Sequence, residues 1–118
     1  MADAGLFIGW GEVVRGREDR ALDVFNETLE FYGQLQADGR IENFEVALLD
    51  PHGGELQGYV MLRGSEDQID AVRRDEDFQR LMIKGSLVVD DLGTIPALIG
   101  DGLARAMTMY QEELALTH

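Results

Sequence analysis

Residues 41–63, IENFEVALLDPHGGELQGYVMLR, contain the clearest indication of the chain's architecture. This stretch contains two runs with the composition of β-strands, 41–49 and 56–63, and the connection DPHGGE at 50–55 lies between them. Proline fixes φ and the two glycines allow positive φ, so the connection is typical of a turn between adjacent strands. The stretch therefore predicts an antiparallel β-hairpin near the middle of the chain.

The second strand of this hairpin carries apolar groups on both of its faces. Successive side chains of a strand point to opposite faces. One face then holds Leu56, Gly58, Val60 and Leu62, and the other holds Gln57, Tyr59 and Met61. The pattern predicts a strand that is covered on both sides.

The sequence on both sides of the hairpin predicts the remaining elements. Hydrophobic periodicity and cap residues define each of them. They are a strand at 5–14, an amphipathic helix with apolar residues from Leu22 to Leu35, a helix at 65–74 begun by Ser65 and Gln68, a helical segment at 75–85, an edge strand led by 87–89 and continuing to Ile95, and a C-terminal helix begun by Asp101. Gly33 lies inside the first predicted helix and predicts a close packing contact there.

The order of these elements is strand, helix, strand, strand, helix, strand, with an additional C-terminal helix. Right-handed crossovers around the hairpin give an α+β, ferredoxin-like βαββαβ sheet with its helices on one face. Residues 1–118 are expected to form a single domain. The opposite sheet face, to which we assign Trp10, Tyr59 and Met61, would be a large apolar patch in water. A second copy of the chain is the simplest cover, so a homodimer is predicted.

Short motifs between residues 29 and 78 carry a family resemblance. They are Ala37-Asp38-Gly39-Arg40-Ile41, Gly53-Gly54, Gly58 and Asp75-Glu76-Asp77-Phe78. With these motifs and its predicted topology, the chain resembles the dimeric α/β-barrel superfamily and, within it, the YCII-like branch. The resemblance implies a homodimeric α/β barrel with a ligand cleft between sheet and helices in each subunit. Members include cofactor-free oxygenases, haem-degrading enzymes, isomerases and domains of unknown role.

The YCII-like pattern also implies a histidine paired with an aspartate. Asp77 matches the acid of that pair, whereas the first predicted helix contains no histidine.

Composition excludes several classes of partner. Twenty-three acidic and ten basic residues give a net charge of −13, which opposes binding to nucleic acid or to an anionic membrane. The N-terminus has no basic segment followed by a long apolar run, and the chain has no cysteine, so a cytoplasmic protein is predicted. GxGxxG, Walker A, HExxH, CxxC and GxSxG motifs are absent from the sequence, so we predict neither a cofactor nor a metal.

Glycines in the predicted central strands indicate a ligand pocket. Gly9, Gly11 and Gly58 remove side chains from these strands and can leave room against the helices. A small, mostly apolar molecule can fit there, since ligand sites commonly combine apolar walls with a few polar groups. The predicted lining comprises Trp10, Phe25, Leu29, Tyr32 and Tyr59, with Arg63 or Glu45 as a polar contact at the margin.

Two other functions remain open at this stage. A cofactor-independent oxygenase or isomerase would use His52, Tyr59, Asp77 or Glu45 for acid–base chemistry. A structural or protein-interaction module would use the C-terminal helix, where apolar residues recur at spacings of four, three and four. These residues are Leu103, Met107, Tyr110 and Leu114.

Overall fold

A four-stranded antiparallel sheet forms the centre of the structure, a computed structural model that describes residues 2–117. The strands are β1 (Ala4–Trp10), β2 (Asn43–Leu48), β3 (Gly58–Gly64) and β4 (Gly93–Leu98). They lie in the order β2-β3-β1-β4, so β1 and β3 are central. This is the strand order of a ferredoxin-like βαββαβ unit. The predicted α+β, ferredoxin-like fold is confirmed, and β4 lies at the sheet edge as expected.

Four helices complete the described chain: α1 (Glu18–Ala37), α2 (Glu66–Arg74), α3 (Glu76–Ser86) and α4 (Gly100–Leu116). Ser65 begins α2 with the predicted capping box. Its hydroxyl accepts from the Gln68 amide at 3.1 Å, and the Gln68 side chain accepts from the Ser65 amide at 2.8 Å. Asp75 separates α2 from α3, because its extended backbone ends one helix and its carboxylate caps the next by accepting from the Phe78 amide at 3.1 Å.

The main core lies between the sheet and α1, α2 and α3. Strand register places Leu6 opposite Leu62 and Ile8 opposite Val60, and all four side chains are buried. Helices supply the other side of this core through residues such as Tyr32, Leu35, Ile69, Val72 and Phe78. We call this side of the sheet the closed face.

The other side of the sheet, the open face, is not covered by any helix of the described chain. Phe7, Tyr59 and Met61 lie there side by side, and the rings of Phe7 and Tyr59 stack with centroids 5.3 Å apart. On the edge strand, Ile95 pairs with Phe7 and is 59% exposed. Trp10 was assigned to this face from the sequence, and that assignment is wrong. Its indole packs on Gly58 and against the closed-face core.

Two predicted strand boundaries differ from the structure by four residues or more. The first strand ends at Trp10 rather than at residue 14, and the last begins at Gly93 rather than at residue 87. Val88 and Val89 are apolar because they cover a small second core with Ala21 and Val24. Their only strand-like pairing in the described chain is one isolated bridge between Val13 and Val89.

Helix α4 is attached mainly through its first turns. Gly102 lies against the backbone of Asp3, and the Arg105 guanidinium donates to the Asp3 carboxylate at 3.2 Å. Beyond this anchor, Met107, Tyr110 and Leu114 are exposed at 47%, 64% and 47%. Within residues 2–117, no helix has the length and apolar character needed to cross a membrane.

Candidate functional site

An apolar cavity of about 70 Å³ lies between the closed face of the sheet, α1, α3 and the segment that leads into β4. Its lining comes from these four parts of the chain. The sheet contributes Ile8, Trp10 and Val60; α1 contributes Ala21, Val24, Phe25, Thr28, Leu29 and Tyr32; α3 contributes Leu81, Met82 and Gly85; and the following segment contributes Val88, Val89 and Leu92. We call this cavity the cleft. Four of the residues predicted for a pocket, Trp10, Phe25, Leu29 and Tyr32, come together in it.

Trp10 forms the sheet side of the cleft because Gly58 leaves space for its ring. A Cβ at Gly58 would lie 2.6 Å from Cζ2 of Trp10, which is too close for two non-bonded carbons. On its other side, the indole contacts Phe25 edge-on, with ring centroids 5.9 Å apart. Much of the room that Gly58 creates is therefore filled by Trp10, and the cleft lies beside this ring.

Tyr32 is the one titratable side chain among the lining residues. Its ring is fully buried and packs edge-on against Phe44, with centroids 5.8 Å apart. Burial raises the pKa of the Tyr32 hydroxyl well above its ordinary value, because the low-dielectric surroundings disfavour the phenolate. Among residues 2–117, the hydroxyl has no hydrogen-bond partner. Thr28, the other lining residue with a hydroxyl, donates to the Val24 carbonyl at 2.7 Å.

Several residues predicted for the pocket lie on the wrong side of the sheet. Gly9 pairs with Tyr59, and both lie on the open face with Arg63 and Glu45. The Arg63 guanidinium donates to the Glu45 carboxylate at 3.0 Å, which occupies both charges. The prediction that these four residues border the cleft is wrong, because neighbouring positions on a strand face opposite sides.

Gly11 serves the approach of two backbones rather than a cavity. It lies just beyond β1, where its amide donates to the Asp90 carbonyl at 2.7 Å. A Cβ at this position would lie 2.9 Å from the same carbonyl oxygen. Glycine therefore lets the end of β1 pack directly on the segment before β4, outside the cleft lining.

Two acid–base candidates also lie outside the cleft lining. His52 is exposed in the connection between β2 and β3, where its Nδ1 lies 2.9 Å from the Asp50 carbonyl oxygen. Asp77 is exposed in the first turn of α3, a position where a carboxylate stabilises the helix through its interaction with the helix dipole. Within residues 2–117, no group of three or more histidine, cysteine, aspartate or glutamate side chains is arranged to hold a metal ion.

Sequence reasoning missed the wall that α3 and the following segment contribute. Leu81, Met82 and Gly85 lie on one side of α3, and a Cβ at Gly85 would lie 3.0 Å from Cδ2 of Leu92. The spacing of four between Leu81 and Gly85 places them on one helix face, which is a usable signal. Val88 and Val89 were not recognised as part of this wall because a short apolar run is equally typical of a buried strand.

Comparison with solved structures gives matches to ferredoxin-like proteins. A dimeric ferredoxin-like protein of unknown function from Thermobifida fusca has a TM-score of 0.61 at 14% sequence identity, and the match covers 84% of this chain and 93% of that one. A dimeric protein of unknown function and ferredoxin-like fold from Bacteroides fragilis has a TM-score of 0.59 at 13% identity, covering 81% and 96%. SnoaB, a cofactor-independent oxygenase from Streptomyces nogalater, has a TM-score of 0.53 at 17% identity, covering 84% and 95%.

Comparison at the level of sequence adds no family. No family model matches the chain, and a search of curated proteins gives no match. The structural likeness and the strand order together show that this protein has the ferredoxin-like fold.

Proposed function

We propose that this protein is a homodimeric binding domain that holds a small, mostly apolar organic molecule in the cleft of each subunit. The observation that carries the proposal is the cleft itself, an apolar cavity that the surrounding core side chains leave unfilled. Protein interiors are normally packed as densely as organic crystals. A persistent apolar cavity is therefore a favourable site for an apolar ligand, which gains the contacts that the walls lack.

The size of the cleft limits the ligand. Its volume of about 70 Å³ is about half that of a 150 Å³ cavity that accepts benzene. A ligand of five or six heavy atoms requires either a small movement of the wall or a position that extends to the mouth. Met82 is part of the wall and is only partly buried. Its unbranched side chain can change rotamer at low cost, which permits such a movement.

Binding is favoured over catalysis by the chemistry of the lining. Acid–base catalysis requires a titratable group within hydrogen-bond reach of the reacting atom. Tyr32 is the titratable residue of the lining, and its raised pKa keeps it protonated. The acid–base candidates His52, Tyr59, Asp77 and Glu45 are not among the lining residues. The oxygenase SnoaB has the same fold. Membership of the YCII-like branch, with Asp77 as its expected acid, stays a prediction.

The homodimer is supported by the open face of the sheet. Phe7, Tyr59, Met61 and Ile95 form a continuous apolar strip there, and such strips on soluble proteins mark contact surfaces. A second copy fits best, because an isologous contact places the same strip against itself around a twofold axis. Two proteins with a similar fold, from Thermobifida fusca and Bacteroides fragilis, are dimeric. Sedimentation at micromolar concentration tests this part, and a folded monomer would contradict it.

Cavity filling tests the binding site. Trp10 is the sole tryptophan of the chain, so its indole N–H gives one resonance in a ¹H–¹⁵N spectrum and reports on the cleft. We expect benzene to shift this resonance in the wild type. Ala21→Leu adds three carbons from the α1 wall, where Ala21 is buried, and should abolish the shift.

The matched control is Ala104→Leu, the same substitution at an exposed position of α4. It should retain the benzene response. An unresponsive wild type, or a response that persists in Ala21→Leu, would contradict binding in the cleft.

A further inference from the structure

Helix α4 extends beyond the body of the subunit. Every residue from Met107 to Thr117 is exposed, and the helix continues to Leu116. The radius of gyration is 16.4 Å, whereas a compact chain of this length would have a value of about 13.5 Å. The longest dimension of the molecule is 55 Å. The second half of α4 is therefore a projection and not part of a core.

This projecting half has little stability of its own. Isolated helices shorter than about 12–15 residues are only marginally stable in water. The last turn of α4 has no basic residue, and Glu112 and Glu113 lie close to the negative end of the helix dipole, which disfavours acidic side chains there. The helix therefore requires a contact that the described part of its own chain does not supply.

Four apolar residues form a seam along one side of α4. They are Leu103, Met107, Tyr110 and Leu114, and all four are exposed. Their spacings of four, three and four match the a and d positions of a coiled coil and read the same in both directions. Two antiparallel copies of the seam therefore complement each other, with Leu103 of each helix opposite Leu114 of the other. None of the four is charged, so the pairing brings no like charges together in a chain that carries −13.

The anchor of α4 lies on the open-face side of the sheet. The Ile99 amide donates to the Asp3 carbonyl at 3.3 Å, which continues the register of β1 and β4 beyond the strand ends. Strand alternation then places the Asp3 side chain on the side of Phe7, and Arg105 donates to its carboxylate. Arg105 lies across the helix from the seam, so this anchor leaves the seam free. A second copy seated on the open face would lie beside α4.

We propose that α4 pairs with α4 of the second copy in the homodimer, antiparallel and through the seam. This inference rests on the homodimer in the proposed function, and it adds a second contact to that between the open faces. A second copy is favoured over an unrelated partner, because the seam complements itself and its anchor adjoins the open face.

Cysteine cross-linking tests the pairing, because the chain has no cysteine. Leu103→Cys and Leu114→Cys subunits are co-expressed with different affinity tags, and mixed dimers are isolated by using both tags in succession. Antiparallel pairing places the two cysteines opposite each other, whereas the identical cysteines of a single-variant dimer are about 16 Å apart along the helix axis. We expect mild oxidation to link the mixed dimer about 10-fold faster than either single-variant dimer, since a disulfide needs Cα atoms within about 7 Å.

The matched control is the mixed dimer of Ala104→Cys and Ala115→Cys. These positions have the same separation in sequence and are also exposed, but each lies one residue beyond the seam. One residue turns a helical side chain by about 100°, so this mixed dimer should cross-link slowly. All four substituted side chains are exposed in the subunit, and the variants are therefore expected to fold.

A charge in the seam provides a second measurement. Leu114→Asp would place a carboxylate against an apolar side chain of the second copy. We expect the dissociation constant of the dimer to rise about 10-fold, because the carboxylate loses water without gaining a partner. Ala115→Asp adds the same charge outside the seam and should leave the dissociation constant unchanged. Analytical ultracentrifugation measures both.

The outcomes separate this inference from the proposed function. If no mixed dimer can be isolated and the wild type sediments as a monomer, the proposed homodimer fails, and this inference fails with it. If mixed dimers form but the seam cysteines link no faster than the control cysteines, the homodimer remains and the pairing of α4 is overturned. Faster linking in the single-variant dimers would overturn the antiparallel direction, and equal effects of Leu114→Asp and Ala115→Asp would overturn the role of the seam.

Discussion

The two faces of one sheet differ in how their apolar residues are covered. Leu62 and Met61 are neighbours on β3, yet Leu62 has no exposed surface and lies under the helices, whereas Met61 lies on the open face. Strand alternation alone creates this difference. The closed face is completed by the chain's own helices, so its residues determine whether the subunit folds. The open face has no such cover within the described chain, and it is the surface on which the proposed contact with a second copy rests.

The largest expected effect comes from truncating the closed face. Leu62→Ala removes a fully buried side chain opposite Leu6 and Phe44. The free energy of unfolding should fall by about 2–5 kcal/mol, the range for leucine-to-alanine substitutions in cores. Urea denaturation at a fixed subunit concentration measures it. Met61→Ala, one residue away, should cost clearly less, and equal losses would show that the two faces are not distinct.

A charge on the open face should break the proposed dimer without unfolding the subunit. Met61→Asp places a carboxylate opposite Glu45 in the register of β2 and β3, in a chain that already carries −13. Twofold symmetry doubles the unfavourable contact. We expect the dissociation constant to rise about 100-fold, or roughly 2.7 kcal/mol, measured by analytical ultracentrifugation. Met61→Leu is the control, and a dimer that withstands the aspartate would place the interface elsewhere.

Asp75 links the junction between α2 and α3 to the connection between α1 and β2. Its carboxylate caps α3 through Phe78 and accepts from the Arg40 guanidinium at 2.6 Å. Asp75→Ala should lower the free energy of unfolding by about 1–2 kcal/mol through loss of the cap. Asp75→Asn, which retains capping ability but no charge, should cost less. Equal losses from the two variants would assign the effect to the ion pair instead.

The same residue gives a prediction with a defined pH dependence. The hydrogen bond from Arg40 is the main reason that the pKa of Asp75 is lowered in the folded chain, so folding favours the ionised form. Its contribution is complete above the unfolded-state pKa of about 3.9 and is lost as pH falls through the lower folded-state value. The difference in unfolding free energy between wild type and Asp75→Asn should therefore shrink below about pH 4. Urea titrations at a series of pH values test this, and a constant difference would contradict it.

Local sequence signals predicted the features that depend on neighbouring residues. The hairpin, the Ser65 capping box and the break at Asp75 each follow from a few adjacent side chains. The start of β4 does not, because Val88 and Val89 pack on α1 residues that are distant in sequence. Strand-like composition could not distinguish a strand that begins at residue 87 from an apolar segment that packs on α1.

The candidate site was also predictable only where local sequence signals determine the position of a residue. Helical periodicity identified Phe25, Leu29 and Tyr32 as one face of α1, and these residues line the cleft. Strand alternation was sufficient to exclude Tyr59 and Arg63, since both lie an odd number of residues from Gly58 on the same strand and therefore face the opposite side of the sheet. The location of Gly9 on the open face follows only from its pairing with Tyr59. Pairing register is a property of the folded sheet.

The smallest expected effect concerns the outer surface of α1, the helix that covers the closed face. Gly33 was predicted to permit close packing, and that prediction is wrong, because a Cβ there would meet nothing within 4 Å. Gly33→Ala should therefore stabilise the subunit by about 0.5–1 kcal/mol, the helix-propensity difference between the two residues. Thermal or urea unfolding measures the gain.

Gly39, just beyond α1, gives a control with the opposite sign. It also has open space around its Cβ position, but its φ of +73° is a conformation that disfavours any residue with a Cβ. Gly39→Ala should destabilise the subunit although it meets no neighbour. If Gly33→Ala destabilised the protein as well, backbone conformation could not be the cause, and a partner packed on the outer side of α1 would be required. The proposed dimer would then have to cover a helix surface in place of the open sheet face.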